Sequence, residues 1–125
     1  FWQLLLGSLV MLIFGFMGEA GIMAAMPAFV IGMAAWLYMI YVLYMGAGKS
    51  VVSTTSASVQ TAYNSLLLII VVGWSIYPLG YVFGYLMGAV DASTLNLIYN
   101  LADFVNKILF GLVIWKAAVD DKQTA

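Results

Sequence analysis

The chain has 125 residues, of which 66% are hydrophobic and 7% charged, and its net charge is −1. Soluble globular domains carry about 25% charged residues, so this composition indicates a membrane protein. The charge balance argues against a nucleic-acid surface and against a polybasic patch for lipid headgroups. Because the chain contains neither Cys nor His, it cannot form disulfides, and we expect no metal site.

Four apolar stretches follow one another along the chain, and each can hold the roughly 20 residues of a helical crossing. The sequence predicts one domain over 1–125 with helices at about 1–18, 24–45, 58–88 and 94–119. Glycines, Lys49 and a run of hydroxyl residues indicate a solvated loop over 46–58. Asp91 or Ser93 is the expected cap of the last helix. The predicted fold class is therefore an all-α membrane protein with four crossings.

The distribution of lysines predicts the orientation. Four crossings place the loop with Lys49 on the same side as the C-terminal segment, which contains Lys116 and Lys122. The opposite loops carry only Glu19 and Asp91. Since cytoplasmic loops have the excess of positive residues, we expect a cytoplasmic C-terminus.

Two charged residues interrupt the last apolar stretch. Lys107 lies ~18 Å from the predicted end of its helix, and the hydrocarbon half-thickness is about 15 Å, so we expect it to be buried away from water. Asp103, four residues earlier, shares a helix face with it. Spacing alone leaves two interpretations open. The pair is either an intrahelical ion pair or a functional site whose amine forms a Schiff base with an aldehyde, with Asp103 as the counterion.

Large aromatic and small residues recur at helical spacing on three of the predicted helices. The stripes are Trp74, Tyr77, Pro78 and Tyr81; Phe29, Gly32 and Trp36; and Met11 and Gly15. Each stripe alone is typical of ordinary helix packing, but three of them beside one amine indicate a pocket for a long apolar ligand. Pro78 is also expected to kink its helix.

Three segments together resemble the proteorhodopsin family of microbial (type I) rhodopsins. The segment NLIYNLADFVNKILFGLVIW, from Asn96 to Trp115, resembles the seventh helix of that family, with its D-x-x-x-K signature at Asp103 and Lys107. GWSIYPLGY, over 73–81, resembles the sixth helix with its W-x-x-Y-P motif, and GEAGIMAA, over 18–25, resembles the loop between the fourth and fifth. The resemblance covers the whole chain and implies the fourth to seventh helices of a seven-helix bundle.

The resemblance implies a light-driven outward proton pump of a bacterial inner membrane, rather than an enzyme, with all-trans retinal as its cofactor. Lys107 would form the Schiff base, Asp103 would belong to its counterion, and Tyr77 would hydrogen-bond near Asp103. Asn106 would adjoin the attachment site. The implied retinal-binding residues are Lys107, Trp74, Tyr77, Pro78, Tyr81, Trp36, Phe29, Gly32, Met11, Gly15 and Asn106.

The chain departs from the family in having only four of the seven helices. The third helix of the family supplies the primary proton acceptor, the cytoplasmic proton donor, an arginine near the counterion and the residue that tunes the colour. We therefore expect a fragment that does not pump by itself, with lipid, protons, the first three helices and further copies of the chain as partners, and no nucleic acid. Two alternatives stay open: a retinal photosensor, and a retinal-free membrane transport or assembly subunit.

Overall fold

The structure is a computed structural model that describes residues 1–123. Helices occupy most of this range and are joined by short turns. The first two crossings contain α1 (Trp2–Glu19), α2 (Ala25–Tyr44) and α3 (Ala47–Val52). The third contains α4 (Ala57–Leu68), the π-helical turn π1 (Ile69–Gly73), α5 (Ile76–Tyr81) and a second π-helical turn, π2 (Val82–Leu86). The last crossing is the single helix α6 (Ala92–Gln123).

Four helical stretches in the described range are long and apolar enough to cross a membrane. They are Trp2–Glu19, Ala25–Val52, Ala57–Leu86 and Ala92–Lys122. At 1.5 Å per residue, the shortest of them spans about 27 Å, close to the thickness of the hydrocarbon core. The predicted fold class, an all-α membrane protein with four crossings, is confirmed.

Helix α3 lies where the sequence predicts a solvated loop. Its hydroxyl groups bond back to main-chain carbonyls three residues earlier, with Ser50 donating to Ala47 at 3.0 Å and Ser53 to Ser50 at 2.8 Å. Serine side chains that bond in this way are satisfied within a helix. The abundance of hydroxyls over 46–58 therefore does not prevent a helical turn, and the second crossing continues to Val52.

The third crossing is irregular on both sides of Pro78. Since proline has no main-chain N–H, it cannot donate to the Trp74 carbonyl as a regular helix would require. That carbonyl accepts instead from the Tyr77 N–H, at 3.2 Å. The π-helical turns π1 and π2 flank this segment. The sequence predicted one irregularity, at Pro78, whereas the structure has two more, one on each side of it.

Side chains fix both ends of α6. At its start, Asp91 accepts from the Thr94 N–H at 3.0 Å and from the Thr94 hydroxyl at 2.7 Å, and these bonds lower the pKa of the Asp91 carboxyl. Asp91 rather than Ser93 is thus the cap. Near its end, Asp121 accepts from the Ser56 and Ser58 hydroxyls at 2.5 and 3.0 Å. The last helix is therefore tied to the beginning of α4.

Small residues set the distance between the first two helices. A Cβ placed on Gly7 would lie 2.7 Å from Cγ of Met39, and one placed on Gly18 would lie 2.7 Å from Cβ of Ala28. Small residues at such contacts let helix backbones approach closely in membranes. Ala28 and Met39 are in turn among the few buried side chains, whereas most large apolar residues point outward, as lipid-facing residues do.

Gly18→Ala tests this close approach. A methyl group there would collide with the Tyr81 hydroxyl and with Ala28, so we expect a lower Tm and a destabilisation of about 1–3 kcal/mol, typical of overpacking. The control is Gly111→Ala on α6, where a Cβ meets nothing within 4 Å. Helix propensity favours alanine at both positions, so equal or higher Tm values for both variants by circular dichroism would contradict the packing argument.

Candidate functional site

The charged pair Asp103 and Lys107 lies at the centre of α6. Lys107 is at the midpoint of this 32-residue helix, and its Nζ donates to Oδ2 of Asp103 at 2.5 Å. The pair lies midway along the helix, as the predicted depth in the membrane requires, but it is not covered by the rest of the described chain. The Lys107 side chain is 76% exposed and the Asp103 side chain 41% exposed, because the other three crossings do not cover this face of α6.

Tyr77, on α5, also binds the Asp103 carboxylate. Its hydroxyl donates to Oδ1, while Lys107 occupies Oδ2, so each carboxylate oxygen has its own donor. One donor comes from the same helix and the other from the neighbouring crossing. A carboxylate held by two donors in this way is fixed in position and orientation.

Two further side chains on α6 tie it to the third crossing close to this carboxylate. The Asn106 amide donates to the Gly73 carbonyl at 3.1 Å. The Tyr99 hydroxyl donates to the Tyr77 carbonyl at 2.9 Å. Sequence reasoning selected Asn106 but missed Tyr99, because a tyrosine that bonds to a main-chain carbonyl has no distinctive sequence pattern.

The predicted aromatic residues make several of the contacts between α2 and the third crossing. Phe29 stacks on Tyr81 with ring centroids 5.5 Å apart, and the Tyr81 hydroxyl donates to the Ala25 carbonyl at 3.1 Å. The Trp36 indole N–H donates to the Ile70 carbonyl, also at 3.1 Å. These three side chains therefore hold α2 against the helix that carries Tyr77.

The remaining predicted residues lie on the same helices with fewer contacts. Trp74 and Pro78 are half-buried on either side of Tyr77. A Cβ on Gly32 would lie 3.7 Å from the Met11 carbonyl oxygen, in ordinary contact, and a Cβ on Gly15 would meet nothing within 4 Å. Gly15 thus has open space beside it on α1, whereas Gly32 lies in normal contact with α1.

One cavity of the described chain is separate from this group. It has a volume of about 400 Å³, and its walls include Met39, Tyr63, Ile70 and Phe110. None of the residues predicted to bind retinal lines it. A smaller groove of about 300 Å³ includes Asn106 and Gly73. Asn106 is thus the one predicted retinal-binding residue that lines either of these two spaces.

Comparison with known proteins assigns these helices to a family. The sequence profile of bacteriorhodopsin-like proteins matches residues 1–121. The blue-light absorbing proteorhodopsin of Gamma-proteobacterium Hot 75m4 is 66% identical over 127 residues, and the green-light absorbing proteorhodopsin of Gamma-proteobacterium EBAC31A08 is 64% identical over 126 residues. Each match covers 100% of this chain and 51% of the relative.

The fold agrees with the sequence comparison. The crystal structure of blue light-absorbing proteorhodopsin from Med12 superposes with a TM-score of 0.80 at 47% identity, over 96% of this chain and 54% of that chain. The chain thus spans about half the length of the curated relatives that it matches. The family match over nearly every residue, together with this superposition, shows that the chain belongs to the bacteriorhodopsin-like family of microbial rhodopsins.

Proposed function

We propose that this chain is the retinal-binding half of a light-driven outward proton pump. The observation that carries the proposal is the amine of Lys107, held against Asp103 at the midpoint of a membrane-crossing helix and open to the uncovered face of the chain. The proteorhodopsin relatives, 64–66% identical over the whole chain, support the same function. Ionisable residues inside a membrane are rare, and they mark ion pathways, proton relays and chromophore counterions.

Lys107 and the predicted pocket residues fit retinal by their chemistry. The amine is exposed and is therefore accessible to an aldehyde. The half-buried Phe29 ring and the open space beside Gly15 suit a long apolar molecule. Lys107 would hold all-trans retinal through its amine, with loss of one water from the amine and the aldehyde, and the bound polyene would supply light absorption and isomerisation.

Asp103 provides the negative charge that the cationic nitrogen of Lys107 requires. Without such a partner, a positive charge at this depth costs about 3 kcal/mol on insertion scales. The Tyr77 hydroxyl donates to the other carboxylate oxygen, and so keeps the carboxylate oriented with Oδ2 towards Lys107. In this arrangement the carboxylate is also the nearest acceptor for a proton that leaves the Lys107 nitrogen.

The order of the two residues along α6 gives the proposed transport its direction. Asp103 lies on the side of Lys107 that leads towards the loop with Asp91, and the C-terminal end of α6 carries Lys116 and Lys122. The excess of lysines supports a cytoplasmic position for that C-terminal end. A proton that moves from Lys107 towards Asp103 therefore moves outward.

Proton transfer across the whole membrane requires groups beyond these four crossings. In the described residues the other acids lie near helix ends, with Glu19 ending α1 and Asp121 close to the end of α6. The uncovered face at Lys107 needs a protein surface against it, because lipid does not solvate a charged pair. We propose that the first three helices of the family supply both the missing proton-transfer groups and the surface that covers Lys107. Further copies of the whole protein are proposed as additional partners.

Lys107→Ala tests the chromophore site. We expect complete loss of the visible absorption band when retinal is added to the chain joined behind the first half of the green-light absorbing proteorhodopsin. Lys116→Ala is the matched control, because Lys116 and Asp120 form a similar pair, four residues apart at 2.6 Å, on the same helix. A visible band that survives Lys107→Ala, or one that Lys116→Ala removes, would exclude Lys107 as the attachment point.

Light-driven pH change tests the pump. Cells that express the joined protein with retinal should acidify an unbuffered medium on illumination, and a protonophore should abolish the effect. Cells that express this chain alone should show no acidification, because no further acid of the described chain lies in the middle of a crossing. The pump is contradicted if the joined protein shows a visible band but never exports protons. The need for a partner is contradicted if the chain alone sustains export.

A further inference from the structure

Tyr99 lies between the charged pair and the start of α6, one turn before Asp103. It is half-buried, and its ring packs against the Tyr77 ring with centroids 5.5 Å apart. Its hydroxyl donates to the Tyr77 carbonyl at 2.9 Å. Tyr99 thus contacts both the side chain and the main chain of the residue that binds Asp103.

The neighbouring residues make room for this tyrosine. A Cβ on Gly80 would lie 2.6 Å from Cε1 of Tyr99 and 2.9 Å from its hydroxyl oxygen. Leu95, one turn earlier on α6 and only 1% exposed, approaches Gly80 and Gly84 in the same way. The two glycines allow α6 to approach the third crossing closely enough for the Tyr99 hydroxyl to reach a main-chain carbonyl.

The helix departs from regular geometry just before Tyr77. Pro78 has no N–H to donate, and the Tyr77 N–H bonds to the carbonyl three residues earlier at 3.2 Å. Tyr77 lies in α5, a six-residue helix between two π-helical turns, and the neighbouring helix adds contacts that hold its side chain and its carbonyl. Within the described residues, α6 supplies such contacts through Tyr99 at the carbonyl and through Asp103 at the hydroxyl.

We propose that Tyr99 is a positioning residue for the Asp103 carboxylate, which it holds in place through Tyr77. Its hydroxyl fixes the Tyr77 main chain and its ring fixes the Tyr77 ring, so that the Tyr77 phenol stays directed at Oδ1 of Asp103. Its importance for light absorption rests on the proposed function, in which Asp103 is the counter-charge at Lys107. The geometric relation between Tyr99, Tyr77 and Asp103 does not depend on that function.

Tyr99→Phe separates this role from simple packing, because phenylalanine keeps the ring and removes only the hydroxyl. The matched control is Tyr63→Phe, which removes another phenol bond to a main-chain carbonyl, from Tyr63 to Leu43 at 2.6 Å. Both variants lose one bond of the same kind between two crossings. They differ in that Tyr63 has no contact with Tyr77 or Asp103 among the described hydrogen bonds and ring pairs.

The first measurement is the ¹³C resonance of the Tyr77 phenol carbon, Cζ, in the retinal-free joined protein. A phenol that donates to a carboxylate has a downfield Cζ resonance, so we expect Tyr99→Phe to move the Tyr77 resonance upfield and Tyr63→Phe to leave it in place. Gly80→Ala should also move it upfield, because the added methyl group displaces a Tyr99 side chain that keeps its hydroxyl. An unchanged Tyr77 resonance in both Tyr99→Phe and Gly80→Ala would overturn the proposal.

The second measurement is the visible absorption maximum after retinal is added. With a weaker bond from Tyr77, the Asp103 carboxylate concentrates its charge at Lys107, so we expect Tyr99→Phe to shift the maximum to shorter wavelength and Tyr63→Phe to leave it unchanged. A shift of equal size in both variants would mean that loss of any hydrogen bond between crossings moves the absorption maximum, and it would overturn the proposal. If the unsubstituted protein shows no visible band, the proposed function fails, while the Tyr77 resonance still tests the positioning role.

Discussion

The ion pair between Asp103 and Lys107 constrains how α6 packs against the third crossing. Two opposite charges lie 2.5 Å apart at the midpoint of a helix whose surroundings are lipid or protein, and neither can leave the other without a large cost in solvation. Tyr77 occupies the remaining carboxylate oxygen and so ties the position of the pair to the third crossing. The irregular segment around Pro78, the tyrosine at position 99 and the close approach of α6 all act on the same carboxylate.

The rest of the chain supports this arrangement through close helix contacts made by small residues. Gly18 and Ala28 bring α1 and α2 together at the Tyr81 hydroxyl, and Phe29 stacks on the Tyr81 ring one turn after Tyr77. Packing is most extensive between α1 and α2 and between α4 and α6. Contacts from α2 to the third crossing join these two pairs. A displacement of α2 would therefore reach the Asp103 site through Tyr81 and the main chain of α5.

Sequence patterns predicted the four crossings, because apolar runs of about 20 residues with few charges match the length of a helix that spans the hydrocarbon core. They also selected Tyr77, Asp103 and Lys107, since charge and helical spacing are visible in the sequence. The π-helical turns and the helix at Ala47–Val52 were not predicted, because both depend on hydrogen bonds that residue type does not reveal. The expected burial of Lys107 concerned depth in the membrane, whereas its exposure in the described chain depends on which helices pack against α6.

The central claim is that Lys107, among the four lysines of this chain, carries the chromophore. Borohydride reduction of the retinal-bound joined protein makes the attachment permanent, and mass spectrometry of its peptides then locates the added retinyl group. We expect one retinyl group, on the peptide that contains Lys107. A retinyl group on the peptide of Lys49, Lys116 or Lys122, or its absence from the Lys107 peptide of a coloured sample, would contradict the account.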